Sequence, residues 1–299
     1  MSFSYDTKVE LCKTPQDGKC CAVAECYGML LFCNTFSSRE IKIITGNHSL
    51  GQRLTERFSD AFSILFDILP EEEKTGKQSY IINTPEKLSC VVEAYGFSLE
   101  NLISHHVNLG VLEEECCRRS FMRGAFLAGG AITDPAKSYH LEIVTDHYSV
   151  SRETYSLLLE MGFSPKEAVR GGNYVTYFKQ SSAIEDFLTM IGAPIHAMEL
   201  MSAKIEKDMR NSVNRRVNCD TANVSKIIDA ATYQINAIRK IGKTGGFEVL
   251  PEKLRQTALL RLQNPELSIK ELAEMSAPPV TKSCINHRLR KLVEISGTH

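Results

Sequence analysis

The sequence predicts an α+β fold: a domain made of two copies of one mixed unit, followed by an all-α helix-turn-helix domain. Three observations carry this expectation. A single offset of 96 residues superimposes Cys20-Cys21 on Cys116-Cys117, Gly28 on Gly124 and Leu31 on Leu127. Each of the two segments reads as an apolar helix, alternating β-type runs, an amphipathic helix, another β-run and a closing helix. Past residue 195 the readable elements are helices, and the charge changes sign. From His196 onward 17 Lys and Arg stand against 11 Asp and Glu, a net of +6, whereas the preceding residues carry a net of −7. A whole-chain balance of −1 therefore hides an acidic part joined to a basic one.

The repeats occupy about 18–97 and 114–193, within a first domain of 1–195. In each, the first element is the helix that Cys20 to Asn34 and Cys116 to Gly130 write twice. Ile41-Lys42-Ile43-Ile44-Thr45 then matches Leu141-Glu142-Ile143-Val144-Thr145 as a β-run. In the first repeat Leu54, Phe58, Ala61, Phe62, Leu65 and Leu69 recur at helical spacing, which predicts a buried stripe ended by Pro70. Tyr155, Leu158, Leu159 and Met161 are expected to do the same before Gly162. Ser79-Tyr80-Ile81-Ile82 is set against Asn173-Tyr174-Val175-Thr176 as the next β-run, with Gly171-Gly172 as a turn. Glu93-Ala94-Tyr95-Gly96 and Leu188-Thr189-Met190-Ile191-Gly192 close the units at the original offset. A period of roughly a hundred residues is a whole supersecondary assembly, not a short motif.

Residues 196–214 are expected as a linker and 215–299 as the helix-turn-helix domain. Arg215-Arg216 leads into a helical stretch from Val224 to Ile241, and Gly242 to Gly246 forms a loop. Leu250-Pro251 opens a helix with Leu254, Ala258, Leu259 and Leu262 on one side, ended by Asn264-Pro265. Ser268 and Glu271 form a capping box for a short helix, Ile269 to Met275. Ser276-Ala277-Pro278-Pro279 cannot continue that helix. The last helix, about Thr281 to Ile295, buries Ile285, Leu289 and Leu292. Another of its faces presents Lys282, Ser283, Asn286, His287 and Arg290, groups suited to base edges and phosphate. A basic end of this kind points to polyanion binding, because cations that displace condensed counterions supply much of the affinity for DNA.

Other chemistries find little support. No G-x-x-x-x-G-K-[ST] or G-x-G-x-x-G run exists to cradle a nucleotide, and no cofactor is expected. The longest apolar runs fall far below the ~18 residues that span a bilayer, which predicts a cytoplasmic protein with no membrane partner. Ten cysteines are then expected as reduced, buried thiols. The two Cys-Cys pairs lack C-x-x-C spacing, and helix neighbours point about 100° apart, so neither pair alone makes a zinc site. Convergence of all four thiols from the two repeat helices would be needed, and no metal is expected. His105-His106 has no companion ligand spacing and reads as loop or helix surface.

The run Phe121-Met122-Arg123-Gly124-Ala125-Phe126-Leu127-Ala128-Gly129-Gly130-Ala131-Ile132 resembles the signature helix of LAGLIDADG homing endonucleases. In that family two such helices pack about a pseudo-twofold axis, and an acidic residue near each helix end holds the metal ions that cleave DNA. The matching positions here are Leu127 and Gly129 in the second repeat and Leu31 and Cys33 in the first. No catalytic ligand survives, because hard divalent metals need oxygen donors. Asp134, just beyond, has no opposing carboxylate.

Three motifs extend the resemblance over nearly the whole chain: the run just quoted, Asn214-Arg215-Arg216-Val217-Asn218-Cys219 with Thr221-Ala222-Asn223, and Pro278-Pro279 through Lys282-Ser283 to Asn286-His287-Arg288-Leu289-Arg290-Lys291. Together they are similar to the WhiA family of sporulation and cell-division regulators. The resemblance implies a pseudo-twofold, degenerate homing-endonuclease domain fused to a helix-turn-helix domain. It implies a sequence-specific DNA-binding transcription regulator without nuclease activity, nucleoid-associated, with promoter double-stranded DNA as partner. It assigns DNA reading to Lys282, Ser283, Asn286, His287 and Arg290; Lys291, Arg215 and Arg216 join them as candidate DNA contacts. The first domain is expected as an auxiliary surface, open to other transcription regulators, and Arg39, Lys42, Lys137, Arg170 and Lys179 are candidates for a basic patch on it. The alternatives are an interaction scaffold with incidental DNA binding and a residual metal-dependent endonuclease.

Overall fold

The computed structural model describes residues 2–15, 18–70, 76–101 and 104–297. The chain divides into two compact units, Met1–Asp208 and Met209–His299.

The first unit is organised around two helices, α2 (Lys19–Leu31) and α5 (Glu115–Gly129). Their backbones touch at the glycines that the 96-residue offset equates. A Cβ on Gly28 would stand 2.1 Å from the carbonyl oxygen of Phe121, and one on Gly124 would stand 2.0 Å from that of Glu25. Only glycine permits such an approach. Tyr27, Met29 and Leu30 of α2 and Phe121, Met122 and Ala125 of α5 are fully buried along this seam. A preceding helix, α1 (Phe3–Cys12), is capped by the Ser2 hydroxyl, which accepts from the amide of Tyr5.

Each half then adds its own antiparallel sheet. The first holds β1 (Thr35–Phe36), β2 (Ile41–Thr45) and β3 (Gln78–Ile82), with α3 (His48–Phe62) between β2 and β3 and α4 (Pro85–Glu93) after them. The second holds β4 (Gly130–Ile132), β5 (Leu141–Thr145), β6 (Lys166–Arg170) and β7 (Asn173–Phe178), ordered β4-β5-β7-β6. There α6 (Tyr148–Glu160) and α7 (Ser181–Ile191) stand where α3 and α4 stand in the first half.

The register corrects one correspondence. Ile41 pairs with Ile82 and Leu141 with Phe178, so the counterpart of Ser79 is Val175, two residues beyond the residue set against it from sequence. A slip of two keeps every side chain on its face, which is why alternation alone does not detect it. Gly171 and Gly172, at φ of 58° and 84°, form the tight β6–β7 turn. In the first half the matching strand is reduced, among the described residues, to a single bridge between Ile68 and Ile81.

Two helix stripes also differ from expectation. α3 ends at Phe62 with left-handed Ser63, so Leu65 and Leu69 lie outside it, 65% and 51% exposed. Beyond Ser63 the chain turns toward the Ile68 bridge, and helical spacing no longer applies. In α6 the buried row is Val150, Thr154, Leu157 and Leu158, while Leu159 is exposed.

A buried ionic group ties these layers together. The Glu25 carboxylate accepts from Arg53 at 2.5 and 2.8 Å and from Arg123 at 3.1 Å. Arg53 also donates to the carbonyls of Cys12 and Thr14, and Arg123 to that of Ile191. The pseudo-twofold counterpart of Arg53 is Glu153, and its role is inverted. Glu153 accepts from the amide of Val107 at 2.6 Å and contacts His106 Nδ1 at 2.9 Å. Each half thus grips the strap that precedes a seam helix, one by its carbonyls and the other by an amide.

Residues 196–214, expected as a linker, are helical. They belong to α8 (Pro194–Thr244), whose first amides, on Ile195 and His196, donate to Glu10. No Gly or Pro occurs between Pro194 and Gly242, so nothing in the backbone chemistry interrupts the helix. Within α8, residues 208–230 are exposed on every side.

In the second unit the end of α8 packs with α9 (Glu252–Gln263), α10 (Ile269–Glu274) and α11 (Lys282–Gly297). Ile238, Leu254, Ala258, Leu272, Ile285 and Leu289 form the core. The capping box at Ser268 and Glu271 is present. Leu259, expected inside, is 41% exposed, and Arg261 takes an inward place at 1% exposure. The Arg261 guanidinium donates to Gln234 Oε1 at 3.1 Å and to the carbonyl of Leu267, so it joins α8, α9 and the loop before α10.

Two consequences are separable by unit. Gly28→Ala and Gly124→Ala are each expected to destabilise the first unit by ~1–3 kcal/mol or more, because the added carbon meets backbone that cannot rotate away. Leu289→Ala is expected to cost the second unit ~2–5 kcal/mol. Urea unfolding followed by circular dichroism measures both.

Candidate nucleic-acid interface

α11 is set by its ends and its core. The Thr281 hydroxyl accepts from the amide of Cys284 at 3.2 Å, and the amide of Val280 donates to the carbonyl of Ala273, closing the turn from α10. Ile285, Leu289, Leu292 and Ser296 fix the inward side. Ser283, His287, Arg290 and Lys291 then share the exposed side, and Lys282 is exposed in the first turn.

Asn286, expected in one exposed row with Lys282 and Arg290, is less exposed than either. It is half-buried on the flank of α11, lining a groove with Ala230, Tyr233 and Gln234 of α8 that the exposed Arg290, one turn on, also lines. Arg288, absent from the expected set, lines another groove with Met275, Pro278 and Val280. Arg215 and Arg216 are exposed on α8, at least 14 residues or roughly 20 Å before the part that faces α11. The structure does not bring them to the α11 row.

The ends of α2 and α5 hold the positions where the endonuclease resemblance places acids. Leu31 and Leu127 are buried in the core at 1% and 0% exposure. Cys33 is half-buried, its thiol donates to the carbonyl of Thr35 at 3.2 Å, and burial pushes its pKa up to about 12. Gly129 admits no side chain at all, since a Cβ there would stand 2.5 Å from the carbonyl oxygen of Val144. Beside them, Lys8 Nζ donates to the carbonyl of Leu127 at 3.0 Å, and burial lowers its pKa to about 8. A cation therefore stands at the seam end. Asp134 lies in the β4–β5 turn, exposed, and accepts from the amide of Ala136 at 2.9 Å.

The basic residues of the first unit divide between its two sheets and a turn. Register places Ala131, Glu142, Tyr177 and Lys166 in one row, opposite the face of buried Leu141, Ile143 and Phe178. On that row Glu142 pairs with Arg170 at 3.3 Å and with His140 at 3.0 Å, and Lys179 Nζ sits 5.5 Å from the Tyr177 ring centre. The equivalent of Glu142 in the other sheet is Lys42. Among the described residues, then, this face of the second sheet mixes both signs of charge.

Among the described residues, the group of three or more metal-type side chains that comes together is Cys20, Cys21, Cys116 and Cys117, whose sulfurs all lie within 4.8 Å of one another. No single pair in the sequence signals this; packing of the glycine seam creates it. His105, expected on a surface, is 9% exposed, stacked on Phe36 and edge-on to His147, because the strap before α5 passes under β1.

Comparison with known proteins agrees with both halves of this architecture. A family model of the WhiA LAGLIDADG-like domain matches residues 118–210, and one of the WhiA C-terminal HTH domain matches 213–296. A "Probable cell division protein WhiA" from Alkaliphilus oremlandii is 36% identical, over 99% of this chain and 97% of its own. One of the same name from Ruminiclostridium cellulolyticum is 39% identical over the same shares. The chain belongs to the WhiA family. A full-length WhiA crystal structure from Thermotoga maritima covers 100% of this chain and 99% of its own, at 26% identity and a TM-score of 0.60. An N-terminal LAGLIDADG domain of WhiA matches in fold over 64% of this chain, with a TM-score of 0.50 and 20% identity. No helix of the described residues is long and apolar enough to cross a membrane.

The buried histidine gives the first unit a pH dependence. Burial, helped by the charge of His147, lowers the pKa of His105 to about 4 from its ordinary 6.5. The unfolded chain takes up this proton near pH 6.5 and the folded chain only near 4. Stability from the neutral ring is therefore whole above 6.5 and is lost as pH falls toward 4, by up to roughly 3 kcal/mol. His105→Phe, which keeps the stack on Phe36, is expected to remove that loss from urea midpoints measured across the window.

Proposed function

We propose that this chain is a sequence-specific, double-stranded-DNA-binding regulator of transcription without nuclease activity, acting in cell division or sporulation. The observation that carries the reading is the α10–turn–α11 arrangement. A capped helix, fixed by its core on one side, presents Ser283, His287, Arg290 and Lys291 on the other. A helix of that build enters the major groove, where hydroxyl and imidazole groups meet base edges while Arg and Lys meet guanine or phosphate. Lys282 at the first turn faces the same ligand. Arg215 and Arg216 contribute a separate phosphate contact from α8.

The seam end supports the absence of cleavage. Phosphodiester hydrolysis through divalent metals needs carboxylates that hold the ions and activate water. Leu31 and Leu127 are core, Gly129 is too closely packed for any side chain, and Lys8 brings positive charge to the same place. The first unit then serves as an auxiliary surface for other regulators. The names of the cell-division relatives favour a role in that process.

Mobility shifts over a range of salt, with promoter fragments from the source genome and random DNA, test the main reading. Ser283→Ala and His287→Ala are expected to narrow the gap between specific and random DNA, each by ~1–3 kcal/mol, while Arg290→Ala and Lys291→Ala lower affinity for all sequences and flatten the salt slope. Asn286→Ala, on the flank, is expected to change specificity less than either. Equal affinity for every DNA in the folded wild-type protein would overturn the assignment. No cutting or nicking of supercoiled DNA is expected with Mg²⁺ or Mn²⁺; metal-dependent cleavage lost in Asp134→Asn would reverse that part.

A further inference from the structure

We propose that Cys20, Cys21, Cys116 and Cys117 hold one Zn²⁺ ion that staples the first turns of α2 and α5. The four sulfurs lie within 4.8 Å of one another, and those of Cys20 and Cys21 are 4.0 Å apart. Around a tetrahedral ion with Zn–S of about 2.3 Å the sulfurs stand roughly 3.8 Å apart, so small side-chain rotations close the shell. The ligands come as two pairs related by the same 96-residue offset as the seam glycines. One pair enters from each repeat, which gives two ligands on either side of a central ion.

Burial by itself holds Cys21 and Cys117 as thiols, and three features of the surroundings act in the opposite direction, toward the thiolates an ion would bind. Both pairs sit in the first turn of a helix, where the backbone dipole favours negative charge. Neither helix has a side-chain cap, so its first amides are open to sulfur acceptors. The Ser120 hydroxyl, 1% exposed, lies beside Cys21, where it can donate to the sulfur. Cys21 and Cys117 are buried, whereas Cys20 is exposed and Cys116 half-buried, so the site is sheltered on one side and open to ion entry on the other.

Ligand chemistry selects the ion. Four soft thiolates favour zinc over the hard cations of the endonuclease reaction, and a complete four-ligand shell is structural, with no open position for catalysis. The thiolates of an iron–sulfur cluster bind different iron atoms and stand further apart than four ligands of one ion. The zinc site lies at the N-terminal end of the seam, while the degenerate acidic positions lie at its C-terminal end. Binding joins the two repeats through their ligands, so metal affinity adds directly to the stability of the first unit. The inference is independent of DNA binding by the second unit.

Full-length protein purified without chelator or added metal is expected to carry about one Zn²⁺ per chain by elemental mass spectrometry. Co²⁺ exchanged for it should show the intense visible bands of a tetrahedral thiolate site. Bound Zn²⁺ should protect these four thiols from alkylation, while Cys90 and Cys219 react. Cys21→Ser with Cys117→Ser is expected to lower retained zinc at least about tenfold, whereas Cys33→Ser leaves it unchanged. If the double variant fails to fold, the wild-type cobalt spectrum and alkylation pattern decide by themselves. Absence of retained zinc together with absence of thiolate bands on Co²⁺ titration overturns the proposal. So does a disulfide among the four cysteines in protein isolated without oxidant.

Discussion

The contact between the backbones of α2 and α5 is the constraint on which the first unit depends. Gly28 and Gly124 meet the opposite helix where a single methyl would stand about 2 Å from a carbonyl oxygen. Such an approach leaves no freedom of register: sliding either helix by one turn would bring Ala24 or Phe32, or Ser120 or Ala128, with a Cβ into the space the glycines leave. The two sheets take their places from it, because β1 and β4 follow directly from the ends of these helices. The same crossing brings the four thiols together at one end and closes the core over Leu31 and Leu127 at the other.

Symmetry in this unit is a property of backbone, and chemistry departs from it. Arg53 and Glu153 occupy equivalent places on α3 and α6 and hold opposite kinds of backbone group. Glu25 has Phe121 as its counterpart, so the buried ionic group exists once and joins α2, α3 and α5 across the pseudo-twofold axis. Breaking it by removing one partner would leave a buried charge unpaired, at a cost of ~3–5 kcal/mol. A pair of helix ends that held catalytic metal ions would have no such asymmetric freedom, since both would have to present a carboxylate. Here one end carries Cys33 beside Thr35 and the other a glycine packed on Val144.

In the second unit the orientation of α11 follows from burial and caps acting together. Leu272 and Ala273 of α10 and Ile285 and Leu289 of α11 share a core with Leu254 and Ala258 of α9. The Ser268–Glu271 box and the Thr281 cap fix where each short helix begins. A six-residue helix such as α10 is too short to persist by itself, so packing supplies its stability and the cap its boundary. Arg261 adds a polar tie that a leucine in its place could not make.

The sequence alone determined the repeat, the order of elements in each half, the loss of carboxylates at the seam and the capped short helix before the last one. These depend on residue type and local spacing: Pro and Gly end helices, alternation marks strands, and a Leu or Gly cannot ligate Mg²⁺. Even the pairing of Cys20-Cys21 with Cys116-Cys117 was visible as a repeat. Their convergence was not, because neither pair meets the other until two helices cross closely enough to bring all four sulfurs together. The inward turn of Arg261, the exposure of Leu65, Leu69 and Leu159 and the flank position of Asn286 were likewise settled by neighbours distant in sequence. Helical periodicity names a face to within a residue or two, but which edge of that face is covered depends on the element packed against it. For the same reason a strand slipped by two residues looks unchanged in sequence, and only the hydrogen-bonded partner decides it.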